Sequence, residues 1–163
     1  MKPSKKVQTL AAILMVLTIS VNTALAADAS ERKGWGASDP YSKLYDSKEF
    51  EKIKAKLVKV LEVVPMPGMS PATALEVSEG GKNFLVHLCP TWFAKPGDIA
   101  LKPGDPITLK GSWAEIDGKD VFLASKVKKG NFYEFKCRLT KDGTPFWTMT
   151  PEQLVKEQSE IDD

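Results

Sequence analysis

The side chains in this chain that are best suited to metal binding or redox chemistry are one histidine and two cysteines. His87 and Cys89 lie two residues apart in the stretch VHLCPTWF (residues 86–93), and Cys137 is the second cysteine. Imidazole nitrogen and thiolate sulfur are ligands for zinc and copper, so these three side chains could bind a metal or carry redox chemistry. No CxxC or HxxxH pair supplies a fourth ligand. Metal handling by His87, Cys89 and Cys137 is therefore an alternative interpretation.

The first 26 residues predict an exported protein. Lys2, Lys5 and Lys6 precede the apolar run Leu10–Val21, and the sequence ALA at residues 24–26 is an A-x-A cleavage signature. The apolar run is shorter than the roughly 20 residues that span a bilayer. We therefore expect a cleaved Sec-type signal peptide at 1–26, no stable membrane anchor, and a periplasmic or secreted location for a bacterial protein.

The charge of the chain changes when the signal peptide is removed. The whole chain has a formal net charge of +2, but residues 1–26 contain three lysines and no acid, which leaves −1 on the remainder. A near-neutral chain does not favour binding to the phosphate backbone of a nucleic acid. Single-stranded nucleic-acid binding stays open as an alternative, because candidate stacking aromatics are present. These are Trp92, Phe93, Trp113, Phe122 and Tyr133.

The two cysteines also predict a disulfide. The bacterial periplasm oxidises paired thiols, and two cysteines allow the single pairing Cys89–Cys137. The bridge would close a loop of about 50 residues and stabilise the fold by about 3–4 kcal/mol in the chain-entropy model. We expect it to join the end of the third strand to the last one.

The sequence contains no recognisable catalytic motif. It has no GxSxG, phosphate-loop or CxxCH motif, and no second histidine that could act as a base. No acidic residue lies near His87 in sequence to orient its imidazole. We therefore predict a protein that is not an enzyme and holds no cofactor.

Alternating apolar and polar residues predict a series of strands after a leader segment at 27–51. The alternation begins at Lys52, and its phase slips at Leu57-Val58 and again near Val60-Leu61, which predicts a long strand bent by a β-bulge. Further strands are predicted at 74–78, 83–89, 106–116, 121–127 and 132–139. Hairpin turns are predicted at Gly80-Gly81 and Asp117-Gly118.

The order of these strands favours an all-β domain over residues 52–150. A bent first strand, a hairpin, a longer connection at 90–104 and a second hairpin are typical of a small five-stranded OB-fold-like Greek-key barrel. An extra C-terminal strand would follow. Thr150 before Pro151 predicts the N-cap of a short charged helix within 151–163. A β-sandwich is the second possibility, but too few strands precede residue 130.

Three stretches carry a resemblance to known proteins. They are LVKVLEV (57–63), LKPGDPITLKGSW (101–113) and GKDVFLASKVKKG (118–130). In these stretches the chain resembles exported bacterial OB-fold proteins of the periplasmic BOF-like group. The resemblance covers about half of the chain and concerns topology, so it implies a fold and not a specific activity. It implies the binding of a small ligand, a cation or another exported protein.

Strand alternation predicts which side chains around His87 face outward. Phe84, Val86 and Leu88 form an apolar face that should point into the barrel, so Leu85, His87 and Cys89 should share the outward face. Methionines in the PMPGMSP loop (65–71) would give an adaptable surface at the edge of the ligand face. The predicted contact surface for an exported protein or small ligand consists of Met66, Met69, His87, Trp92 and Phe93.

Overall fold

The computed structural model describes residues 32–159, and this part of the chain is mostly β-structure. The strands are β1 (Phe50–Val63), β2 (Ala72–Glu79), β3 (Lys82–Pro90), β4 (Pro106–Ile116), β5 (Lys119–Lys129) and β6 (Tyr133–Lys136). One α-helix follows, α1 (Pro151–Ser159). Short 3-10 helices lie at Ser42–Leu44, Ser47–Glu49, Pro96–Asp98 and Phe146–Thr148. The predicted signal peptide lies outside the described residues.

The strands form one sheet in the order β3-β2-β1-β4-β5-β6. All of these neighbours pair antiparallel. In addition, β3 pairs with β5 in parallel, with His87 opposite Leu123. The hydrogen-bonded pairs of the first five strands therefore form a closed cycle. The prediction of an all-β domain is confirmed as far as a mostly β-structured fold built on one sheet.

Strand β1 bends at the predicted β-bulge. Ile53, Ala55 and Leu57 are buried, while the lysines between them are exposed, as alternation requires. The register with β2 shifts between Leu57 and Lys59. From Lys59 to Val63 the register runs without a break, so the second predicted slip is wrong. One extra residue accounts for the bend in this strand.

One tight turn and one helix cap follow their sequence signals. Asp117 and Gly118 both have positive φ (51° and 72°), which is the requirement of a type I′ hairpin. Thr150 caps α1, because its Oγ1 accepts a hydrogen bond from the Gln153 amide at 3.3 Å. The Gln153 side chain returns the interaction by accepting from the Thr150 amide at 2.9 Å.

Strand β6 is shorter than predicted and ends at Lys136. Cys137 and Arg138 leave the ladder, although both of their amides donate to the Ser125 carbonyl of β5. Arg138 then forms an isolated bridge with Pro145. The segment 137–147 therefore folds back over the sheet. Within the described range there is no helix with the length and apolar character needed to cross a membrane.

Candidate functional site

His87 is buried, in contrast to its predicted position on an exposed outward face. Only 3% of its surface is accessible. Residues 32–45 cover it, and the hydroxyl of Tyr41 lies 3.0 Å from its Nδ1 in a buried hydrogen bond. The aromatic rings of Tyr41 and Trp35 pack edge to face on this side of the sheet, with centroids 5.0 Å apart. Strand alternation indicates the direction of a side chain, but it does not reveal a distant segment that covers it.

Cys89 does not share a face with His87. The register of β2 and β3 pairs His87 with Ala74 and Cys89 with Thr73, so Leu88 is an extra residue in β3. Directly paired residues share a face, whereas the consecutive residues Thr73 and Ala74 point to opposite faces. The bulge therefore turns Cys89 away from His87. The prediction that the two side chains point the same way is wrong.

The burial of His87 determines its charge. Desolvation, with a smaller contribution from the positive charge of Arg138, lowers the pKa of His87 to about 4. The imidazole is therefore neutral at ordinary pH. Burial also raises the pKa of Tyr41 well above its ordinary value, so the hydroxyl keeps its proton. The pair is a neutral hydrogen-bonded contact between the N-terminal segment and β3.

Arg138 is the central cation of this covered region. Its guanidinium carbon lies 4.8 Å from the ring centroid of Trp147 and within 6 Å of the centroids of Tyr41 and Tyr45. Its NH1 group donates to the Gly143 carbonyl at 3.1 Å. The described residues 32–159 provide no carboxylate within salt-bridge distance of Arg138. Cation–π contacts with three rings therefore replace an ion pair.

Both cysteines are free and buried, so the predicted Cys89–Cys137 disulfide is not present. Each thiol instead faces a backbone carbonyl: Sγ of Cys137 lies 3.0 Å from the oxygen of Ala124, and Sγ of Cys89 lies 3.7 Å from that of Ala94. Burial is the largest effect on both thiols. It raises the pKa of Cys137 to about 12 and that of Cys89 well above its ordinary range. Neither thiol is a reactive thiolate at neutral pH.

The three residues of the alternative metal site are not brought together in the described part of the chain. Residues 32–159 contain no group of three histidine, cysteine or acidic side chains arranged to hold a metal. The reason lies in the same features: the bulge separates His87 from Cys89, and Tyr41 occupies Nδ1 of the imidazole. The cation of Arg138 close by further disfavours a metal ion.

Met66 and Met69 line a groove between the PMPG loop and the N-terminal segment. The groove has a volume of about 470 Å³. Its lining residues are Lys33, Gly34, Asp39, Pro40, Tyr41, Met66, Pro67, Gly68 and Met69. Gly34 (φ +84°) is needed there, because a Cβ atom would lie 2.4 Å from Cγ of Met69. Tyr41 connects this groove to His87 beneath it.

The other two residues of the predicted contact surface lie apart from the methionines. The ring of Trp92 is covered by the guanidinium of Arg32 at 5.1 Å from its centroid. Phe93 packs against Trp147 and borders a different pocket, with Glu134, Phe135 and Lys136. The predicted surface is therefore not continuous. Met66 and Met69 share one groove, while His87, Trp92 and Phe93 do not line it.

The aromatic residues considered for nucleic-acid binding do not form one stacking platform. Trp113 packs between Phe84 and Phe122, with centroid distances of 5.0 and 5.2 Å. Phe122 is fully buried, which excludes it as a base-stacking surface. The cleft at Phe84 and Trp113 also contains two carboxylates, of Glu79 and Asp120, against the single ammonium of Lys82, a balance that does not favour phosphate.

Comparison with family models gives one match. The model of the MamS/MamX magnetosome protein family matches residues 49–133. The chain belongs to the MamS/MamX magnetosome protein family. The predicted resemblance to BOF-like proteins is therefore supported only as far as a β-rich fold. Comparison with curated proteins and with solved structures gives no match.

The MamS/MamX match covers the strands and not the segments that bury His87. Residues 49–133 include β1 to β5 and reach the first residue of β6. Tyr41, Cys137 and Arg138 lie outside this range. Sequence reasoning missed Arg138 because a single arginine carries no burial signal of its own. The sequence contains only an indirect signal for this region. The segments before and after the predicted strands contain aromatic residues, and the predicted strands alone offered no packing partner for them.

Proposed function

We propose that this MamS/MamX family member is a non-catalytic accessory protein of the magnetosome that binds another exported protein through its methionine groove. The methionine groove is the space lined by Tyr41, Met66 and Met69 and their neighbours. The observation that carries the proposal is the contrast between this accessible groove and the buried His87 and cysteines beneath it. The side chains that could do chemistry, His87 and the two cysteines, are neutral and buried, whereas the apolar methionine groove is open to solvent.

The composition of the groove supports a protein partner. Two methionines provide a flexible, polarizable surface that adapts to different side chains. Prolines on both sides restrict the backbone, so less conformational entropy is lost on binding. Lys33 and Asp39 at the rim provide charges of both signs, a pattern that suits a peptide more than a uniformly charged ligand.

The proposal includes an OB-fold-like barrel and export from the cytoplasm. The pairing cycle β1-β2-β3-β5-β4-β1 is the order expected of five strands in such a barrel. The loop between β1 and β2, which holds both methionines, borders the ligand face in that fold. The basic and apolar pattern of residues 1–26 supports export by a signal peptide.

Site-specific photo-crosslinking in cells tests the groove. A photoreactive residue replaces Pro67, which is exposed at the rim, and the matched control carries it at the exposed Glu115 of β4. We expect a discrete adduct from position 67 that is lost with Met69→Glu in the same chain. An adduct of equal strength from position 115, or none from position 67, would contradict the proposal.

A second variant in the crosslinking experiment distinguishes binding by the groove from a function of the two thiols. The variant Cys89→Ala with Cys137→Ala removes both thiols while leaving the groove residues unchanged. We expect the adduct from position 67 to persist in this variant. Loss of the adduct in a folded double variant would show that the thiols take part in the function.

A further inference from the structure

The outer face of the sheet carries a row of four lysines in register. Lys52 of β1 lies opposite Lys110 of β4, Lys110 lies opposite Lys126 of β5, and Lys126 lies opposite Lys136 of β6. Directly opposed residues share a face, and like charges in such pairs destabilise a sheet. This arrangement opposes the stability of the fold, so it calls for another explanation.

The next row of cross-strand pairs ends at Glu134, whose carboxylate partly neutralises the positive charges of these lysines. Here Lys54 lies opposite Thr108, Thr108 opposite Lys128, and Lys128 opposite Glu134. The Glu134 carboxylate forms salt bridges with Lys128 at 3.1 Å, Lys136 at 3.7 Å and Lys126 at 3.9 Å. Glu134 therefore compensates lysines on the β5–β6 side of the face.

The lysines of β1 have no such compensation. Lys52, Lys54 and Lys56 are all exposed, and none forms a salt bridge with another residue of the described range 32–159. They lie on one edge of a positively charged surface that continues to the half-buried Lys110 of β4 and Lys128 of β5, whereas Lys126 is buried. Uncompensated charges of one sign create a field that attracts an oppositely charged surface.

A fully exposed phenylalanine lies in a turn that reaches the groove beside these lysines. Phe132 lies in the turn between β5 and β6, and its side chain makes no protective contact, since its whole surface is accessible. Gly130 of the same turn lines a groove of about 450 Å³ together with Lys54 and Lys56, and Glu79 is the one acidic residue in that lining. The turn therefore places an apolar ring at the edge of the positive surface.

We propose that this lysine face, defined as Lys52, Lys54, Lys56, Lys110, Lys128 and Phe132, docks on an anionic membrane surface. Neighbouring strands are about 4.8 Å apart, so the charges spread over an extended area and do not converge on one small anion. Lysines near an anionic leaflet each add several-fold to the binding constant. An exposed aromatic ring inserts at the level of the headgroups. The methionine groove shares no residue with this face.

Vesicle co-sedimentation with the protein in its exported form, without the predicted signal peptide 1–26, tests the proposal. The probes are phosphatidylcholine vesicles with about 30 mol% phosphatidylserine and vesicles of phosphatidylcholine alone. We expect binding to the anionic vesicles only, and its loss at about 0.5 M salt, where charges are screened within a few ångströms. The variant Lys54→Glu with Lys56→Glu should lower the partition coefficient by about tenfold or more. Phe132→Ser should lower it several-fold.

The matched control reverses the charge of two exposed lysines that lie outside the lysine face. Lys82→Glu with Lys119→Glu changes the net charge equally, in the hairpins β2–β3 and β4–β5, and should leave most of the binding. Equal binding to both vesicle types, or equal losses in both double variants, would overturn the proposal. Binding to polyglutamate without binding to vesicles would overturn it in favour of an acidic protein partner. Circular dichroism confirms that each variant is folded. None of these outcomes affects the groove crosslink, which uses other residues.

Discussion

The outer face of this sheet carries polar groups in two regions that are treated in opposite ways. Around His87 the flanking segments cover the sheet, and the polar groups are neutral or stacked between aromatic rings. Along Lys52, Lys54 and Lys56 the sheet is open, and the charges face solvent without a salt bridge inside residues 32–159. The covered region therefore contributes to stability, whereas the open region is the one that we propose for membrane docking.

The largest expected effect comes from removing the cover. Trp35 is almost fully buried, and its backbone carbonyl accepts a hydrogen bond from the Trp147 indole at 2.9 Å. Trp35→Ala should reduce the free energy of unfolding by about 3–5 kcal/mol, since a large aromatic side chain leaves a cavity. Urea denaturation measures this loss. Phe132→Ala is the matched control and should change stability by less than about 0.5 kcal/mol. Similar effects of both variants would contradict the distinction between the two regions.

The next effect concerns the titration of His87. Its pKa in the folded chain, about 4, lies below the ordinary value of 6.5, so the unfolded chain binds a proton first as the pH falls. Stability is therefore complete above pH 6.5 and decreases between pH 6.5 and 4 by about 3 kcal/mol from this residue. Denaturation of wild type and His87→Gln across this range measures the difference. Equal pH dependence in the two proteins would show that His87 is not buried.

A smaller effect tests the influence of Arg138 on His87. His87 is the only histidine of the chain, so its imidazole proton resonances titrate without overlap. Arg138→Met removes the nearby positive charge and should raise the pKa of His87, while burial keeps it below the ordinary value. Nuclear magnetic resonance follows this shift. An unchanged pKa in a folded variant would place the two side chains farther apart than the structure does.

The smallest expected effect has the opposite sign and belongs to the lysine face. Lys52→Glu replaces a like-charge pair with Lys110 by an opposite-charge pair, and should stabilise the sheet by about 0.2–1 kcal/mol. The gain should decrease at high salt, because exposed charges are screened. Thermal unfolding at low and high salt measures it. A loss of stability in Lys52→Glu would contradict a destabilising like-charge contact between Lys52 and Lys110.

The strands were predictable because their signals are local. Alternation in β1, the bulge at Leu57 and the Asp117-Gly118 turn depend on neighbouring residues, and all three appear in the structure. The short helix after Thr150 follows equally local capping chemistry. Such features need no knowledge of distant contacts.

The site was less predictable because its determinants are distant in sequence. The extra residue Leu88 reverses the orientation expected for Cys89, and no composition signal marks it. Tyr41 and Arg138 reach His87 from opposite ends of the chain. The lysine row likewise became visible only when the registers of β1, β4, β5 and β6 were known.

One labelling experiment tests the contrast between the two regions most directly. The native protein is treated with a lysine-reactive and a thiol-reactive reagent, and modification is read residue by residue by mass spectrometry. The account predicts rapid labelling of Lys52, Lys54 and Lys56, with Cys89 and Cys137 unlabelled until the protein is unfolded, when both react. Labelling of either thiol in the native protein, protection of the β1 lysines, or thiols that stay unreactive after unfolding would contradict it.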